Sequence, residues 1–167
     1  WTLGIMPMAA VGGSLLSGWV SDTYFKGRRS PVAMTLYFLE AAVIAFAAVL
    51  LLKGLVSPTP TGILTGCGIL IVISLTANST HSIVGAAAPM DIGGKKMAGF
   101  AAGVIDSFQY YGGALSLFIS GRVVDATKAE HGWLFWYVIM SGFGILGGIA
   151  MILVMRKQKR MQIAAGG

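Results

Sequence analysis

The chain has 167 residues, a net charge of +6, 56% hydrophobic and 11% charged residues, and a mean hydropathy of +0.79. A soluble domain carries about 25% charged residues, and one this short cannot enclose several long apolar helices in its own core, so the composition excludes an ordinary soluble fold and predicts an all-α polytopic membrane protein. The basic residues stand in short runs between apolar blocks, not in a patch interleaved with aromatics, which argues for membrane topology and against a nucleic-acid partner.

Five candidate spans follow in chain order, over residues 1–20, 31–52, 61–88, 97–121 and 132–155, with a basic tail over 156–167. The chain opens at Trp1 inside a helical pattern, without a basic leader or cleavage site, and reads as a piece of a longer protein. The first block carries small residues at Gly4, Gly12, Gly13, Ser14 and Gly18 and ends in a polar loop over 21–30. The second begins at Pro31, which suits a first helical turn. It is long enough to cross the roughly 30 Å bilayer core. Pro58 and Pro60 close the short connection that follows.

The third block exceeds a straight span, so tilt or an extension beyond the hydrocarbon is expected. Its second half is polar, with Ser74, Thr76, Asn78, Ser79, Thr80, His81 and Ser82. Loops are expected over 89–96 and 122–131, and the fifth block opens with an interfacial aromatic cluster, Trp133, Phe135, Trp136 and Tyr137. The tail reads as featureless after its basic run. Alternating loops place nine basic residues on one face (Lys26, Arg28, Arg29, Lys95, Lys96, Arg156, Lys157, Lys159 and Arg160) and three on the other (Lys53, Arg122 and Lys128). The first face is therefore expected in the cytoplasm, with the C-terminus.

The most specific local pattern is Gly18 and Asp22 followed by Gly27, Arg28 and Arg29. Gly18 permits close helix contact, Gly27 permits a tight turn, and Asp22 can accept from arginine donors. An ordinary basic loop would need only the arginines. Written as G-x-x-x-D-x-x-x-x-G-R-R, the run resembles the loop signature of the major facilitator superfamily. The element K-K-x-A-G-x-A-x-G over 95–103, with Tyr110, Tyr111, Gly112 and Gly113, resembles the organophosphate:phosphate antiporter branch. The resemblance covers nearly the whole chain and implies the C-terminal helical bundle of such a transporter, helices eight to twelve of twelve. It further implies a bacterial cytoplasmic membrane, a missing N-terminal bundle, and exchange of a small organic anion, a phosphate ester, for inorganic phosphate. A substrate sensor of the same fold, or a carrier of another organic anion, are the alternatives. The phosphate-binding arginines of that branch lie in helices outside this chain.

Within the chain, Asp106, Gln109 and Tyr110 stand at spacings of three and four, which favours one helix face. Counting from Lys96 along a regular helix places Asp106 about 15 Å in. A carboxylate there is expensive in lipid and should face the bundle interior or a water-filled path; a structural contact between helices is the bland alternative. Asn78 and His81 share a face at spacing three and are further path candidates. The pairs Gly99 with Gly103 and Gly144 with Gly148, each four apart, are candidates for close helix packing. Glu40 is expected to make a structural bond or to stay neutral and protonated, Asp91 to pair with the Lys95–Lys96 turn or favour the helix start there, and Cys67 to pack as a small side chain. There is no phosphate loop, no G-x-S-x-G element and no metal-ligand cluster, since the second histidine, His131, is expected on the opposite face. An enzyme, a cofactor and a metal are therefore not expected.

Overall fold

The computed structural model describes the backbone of residues 2–165 and the side chains of 4–90, 96–127, 132–160 and 163. Five α-helices follow one another: α1 (Thr2–Tyr24), α2 (Arg29–Leu52), α3 (Pro60–His81), α4 (Ala88–His131) and α5 (Leu134–Ala165), with a π-helical stretch, Ser82–Ala87, between α3 and α4. Three stretches are long and apolar enough to cross a membrane among the described residues: Arg29–Leu52, Pro60–Met90 and Leu134–Arg160. Helices α1 and α4 are diluted by Gly, Ser and Pro7 in the first and by Asp106, Gln109, Tyr110 and Tyr111 in the second.

The local chemistry explains the breaks. Lys26 and Gly27 adopt φ of 52° and 76°, and the Gly27 N–H reaches back to the Ser21 carbonyl at 3.0 Å. This is the left-handed helix ending that glycine favours. The connection is thus residues 25–28, shorter than the expected loop, because α1 continues through Asp22 to Tyr24. Gly54 closes α2 in the same way, at φ 69°. Thr59 caps α3 by accepting from the Gly62 N–H at 3.1 Å, with Pro60 in the first turn.

Two expected irregular segments are helical. The loop over 122–131 belongs to α4, and the turn falls at Gly132, φ 58°. The tail continues α5 to Ala165; its Arg, Lys, Gln and Met residues are strong helix formers and no glycine interrupts them before residue 166.

Hydrogen bonds and close approaches give the helix directions. Ser74 Oγ donates to the Met6 carbonyl and Ser14 Oγ to the Asn78 carbonyl, so α1 and α3 run parallel. Ser141 Oγ donates to the Ala41 carbonyl and Ser30 Oγ to Gln158 Oε1, so α2 and α5 run antiparallel. Ser116 lies against Met140, which folds α5 back along α4. The five helices therefore alternate in direction.

The segment after α3 needs a separate account. A methyl group placed on Gly85 would stand 3.1 Å from Asp106 Oδ1. On one straight helix those residues would lie about 30 Å apart. The chain therefore reverses between them although its backbone stays helical, and the reversal takes the place of the expected loop over 89–96. Pro89 explains the π-helical widening before it. Its ring would collide with the carbonyl four residues earlier, at Gly85, and it has no N–H to offer. The Ala88 N–H instead reaches five residues back to Ile83, and Pro89 is itself fully buried.

Candidate functional site

Residues Ser82–Ala87 form the floor on which the polar face of α4 rests. Gly85 is buried. The point its methyl group would occupy lies 2.9 Å from Gln109 Oε1 and 3.1 Å from Asp106 Oδ1. Both side chains, three apart on α4, are thus held over one glycine of the π-helical stretch. Asp106 is half-buried, and Gln109 Oε1 is buried without a hydrogen-bond partner. Tyr110 is 74% exposed and stands away from this contact. Asp106 and Gln109 thus meet Gly85 and Tyr110 does not, although it lies only about 40° around the helix from Asp106.

The level of the pair is set by packing. Ile83 meets Val32 and Ala33, with Phe25, Leu36, Val84 and Met151 around them. Val32 lies one turn inside Arg29, so Asp106 and Gln109 sit toward the basic end of α2 and not at its midpoint.

The polar half of α3 is arranged differently. Thr76, Ser79 and Thr80 are buried, and each hydroxyl donates to a carbonyl four residues earlier. Asn78 donates to the Ser74 carbonyl at 2.7 Å, on the side of α3 that meets α1. This is internal back-bonding that leaves α3 intact in an apolar setting. His81 is exposed at the end of α3.

At the loop signature, Arg29 Nη1 and Asp22 Oδ1 form an ion pair of 3.0 Å, with the aspartate 62% exposed. Arg28 is exposed beside it. The pair ties the end of α1 to the start of α2 across the Gly27 turn. Gly18 has nothing within 4 Å of its methyl position, so the close contact expected there is not made by this chain.

The two glycine pairs have opposite surroundings. A methyl group added at Gly144 would stand 3.0 Å from Ala41 Cβ, one at Gly148 2.7 Å from the Phe38 ring, and one at Gly147 2.6 Å from the Tyr37 ring, so all three glycines are needed for this contact. Gly99 and Gly103 have nothing within 4 Å. The close packing expected of that second pair is absent within this chain, because α4 touches its neighbours through Asp106, Gln109 and Ser116 and turns Gly99 and Gly103 outward. The side chains of Asp91, Lys95, Lys128 and His131 lie outside the described residues. Among the described residues no group of three or more His, Cys, Asp or Glu could hold a metal ion. The feature that sequence reasoning missed is Gly85; its signal was the spacing of four to Pro89.

No family model matches the chain, and no solved structure matches it. Two curated proteins do. The chain is 30% identical over 174 aligned residues to a glycerol-3-phosphate transporter of Haemophilus influenzae, covering 99% of this chain and 35% of that protein. It is 29% identical over 163 residues to a glycerol-3-phosphate transporter of Bacillus subtilis, covering 97% of this chain and 34% of that protein. The chain thus spans about a third of the length of these relatives. Continuous likeness from end to end, on alternating apolar helices, makes this a transporter-like all-α membrane fold of the major-facilitator type, distantly related to glycerol-3-phosphate transporters.

Proposed function

We propose that the chain works as the C-terminal bundle of a secondary transporter that takes up an organic phosphate in exchange for inorganic phosphate. The observation that carries this reading is likeness over 99% of the chain to a glycerol-3-phosphate transporter. In this reading all five helices cross the cytoplasmic membrane of a bacterium, with the basic ends of α2 and α5 and the C-terminus inside. A second bundle faces Gly99, Gly103 and Tyr110, whose outward positions suit such a partner. The cargo is held between the bundles, and their rocking exposes it to each side in turn. Neither solute is chemically changed.

Asp106 and Gln109 border the path at its basic end. The Asp22–Arg29 pair holds α1 to α2 as that end closes, without touching cargo. The test is counterflow in proteoliposomes. Vesicles loaded with inorganic phosphate are expected to take up labelled glycerol-3-phosphate, and uptake is expected to stop when internal phosphate is removed. Binding without exchange would favour a substrate sensor of the same fold, and exchange only of a non-phosphorylated anion would favour a different cargo.

A further inference from the structure

We infer that the ends of α1, α2 and α5 form a binding surface for the headgroup of an anionic phospholipid, with Arg28, Lys157 and Lys159 as its main contacts. Ser30 Oγ donates to Gln158 Oε1 at 3.2 Å, so the start of α2 stands beside the far end of α5. Phe25 and Met151 pack against the cluster of Val32, Ala33 and Ile83, which brings the end of α1 to the same place. Across residues 19–30 and 155–160 seven lysines and arginines stand against one acid, Asp22, which is engaged with Arg29. Arg28, Lys157 and Lys159 are exposed, and the two lysines flank Gln158, about 100° to either side of it around α5. Helix α2 opens without a side-chain cap at Arg28 and without an acid in its first turn, so its positive end adds to the same field. Topology alone asks for basic residues near helix ends; it does not require runs 128 positions apart to meet.

The level and the neighbours select a lipid. Arg28 precedes the membrane-crossing stretch Arg29–Leu52, and Lys157 and Lys159 fall in the last turn of Leu134–Arg160. The phosphates of a bilayer lie at that level, just outside the hydrocarbon. Trp19 and Tyr24, 56% and 69% exposed, meet edge to face at 5.7 Å near the end of α1. Rings with an apolar body and a polar edge settle among headgroups. Exposed cations are well hydrated and hold a dilute free anion weakly. A lipid phosphate is kept beside them by its own acyl chains, so a small gain from each cation is enough. A headgroup spanning Arg28 and the two lysines also reinforces the Ser30–Gln158 contact, and with it the seam between α2 and α5.

The surface is tested without transport, on the purified protein in a neutral detergent. Pyrene-labelled phosphatidylglycerol and phosphatidylcholine are titrated in separately, and binding is read as energy transfer from tryptophan. Phosphatidylglycerol is expected to bind at least about tenfold more tightly, with the preference shrinking as sodium chloride rises from about 0.05 M to about 0.5 M. The triple variant Arg28→Gln, Lys157→Gln, Lys159→Gln is expected to bring the two lipids within about twofold of each other, and Arg122→Gln, near the opposite end of the bundle, to keep the wild-type preference. If the triple variant inserts poorly, Lys157→Gln decides alone, with a loss of about fivefold expected. Equal affinity for the two lipids in the wild type overturns the surface, as does a preference that survives in the triple variant or falls equally in Arg122→Gln. Displacement of the bound lipid by inorganic phosphate at constant ionic strength also overturns it and assigns the cations to a soluble anion. A protein that prefers the anionic lipid yet exchanges no solute breaks the transport reading and leaves the surface standing.

Discussion

The seams between α1 and α3 and between α2 and α5 contrast with the face of α4 over 99–110. Both regions combine small residues with polar ones inside helices. In the seams several of these features have a use within the chain. Gly13 leaves room for the Leu75 carbonyl and for Ser79 Oγ, which would stand 2.6 Å from an added methyl group, and Gly144 does the same for Ala41. Thr76 and Thr80 close their hydroxyls onto α3 itself. On α4, Gly99 and Gly103 meet nothing, Tyr110 projects outward, and Gln109 Oε1 lacks a donor. Residue type alone therefore does not separate architecture from function here. What separates them is whether the partner group lies in the chain.

The contrast can be broken at its widest point by Asp106→Asn. The amide keeps the shape and removes the charge, so exchange in proteoliposomes is expected to fall about tenfold or more, equivalent to about 1.4 kcal/mol or more of lost stabilisation, with the inserted yield near wild type. Normal exchange would move Asp106 to the architectural side. Next comes Gly144→Val, where added bulk meets Ala41. A loss of about 1–3 kcal/mol is expected, read as a lower melting midpoint of the purified protein. Gly103→Val is its counterpart and is expected to leave this chain's own packing unchanged while slowing exchange; equal destabilisation by both would erase the distinction.

A smaller effect is expected from Asp22→Asn. Its pair with Arg29 is largely exposed, so stability should change by no more than about 1 kcal/mol. Exchange should slow severalfold while equilibrium cargo binding holds, which separate transport and binding measurements would reveal. The least effect is expected for Thr76→Val. The hydroxyl bonds only to Val72 and Ile73 of its own helix, so a loss near 0.6 kcal/mol and normal exchange are expected. A transport defect in that variant would place the polar half of α3 on the path after all.

Much of this architecture could be read from the residues. The apolar blocks mark the helices, Gly27 marks a tight turn, and Pro58 and Pro60 mark the connection before α3. These are local matters of backbone conformation and capping, which depend on neighbours in the chain. Asp106 and Gln109 could be singled out because charge and amide groups are costly in lipid. Their partner could not, because Gly85 has no side chain to advertise a role and the hairpin that joins them lies in residues whose composition predicted a loop. Spacing alone could not show that Gln109 is covered while Tyr110 stays exposed, because that depends on the element packed opposite. Likewise, the spacing of four in Gly99 and Gly103 equals that in Gly144 and Gly148, and only the helix opposite distinguishes them.

The seam between α2 and α5 has a consequence for biogenesis. Its Ser141-to-Ala41 hydrogen bond joins residues 100 positions apart. During synthesis α2 must therefore reside in the membrane without this partner until α5 emerges. Both members of that seam reach a mean hydropathy of 2.3, the highest of the three membrane-crossing stretches, which suits helices that have to partition into lipid unaided. The less apolar α1 and α4 are different: α1 has α3 as its companion only about 60 residues later, and α4 follows directly on the hairpin from α3. Weakening the apolar character of α2 should therefore damage insertion itself, before any question of packing arises.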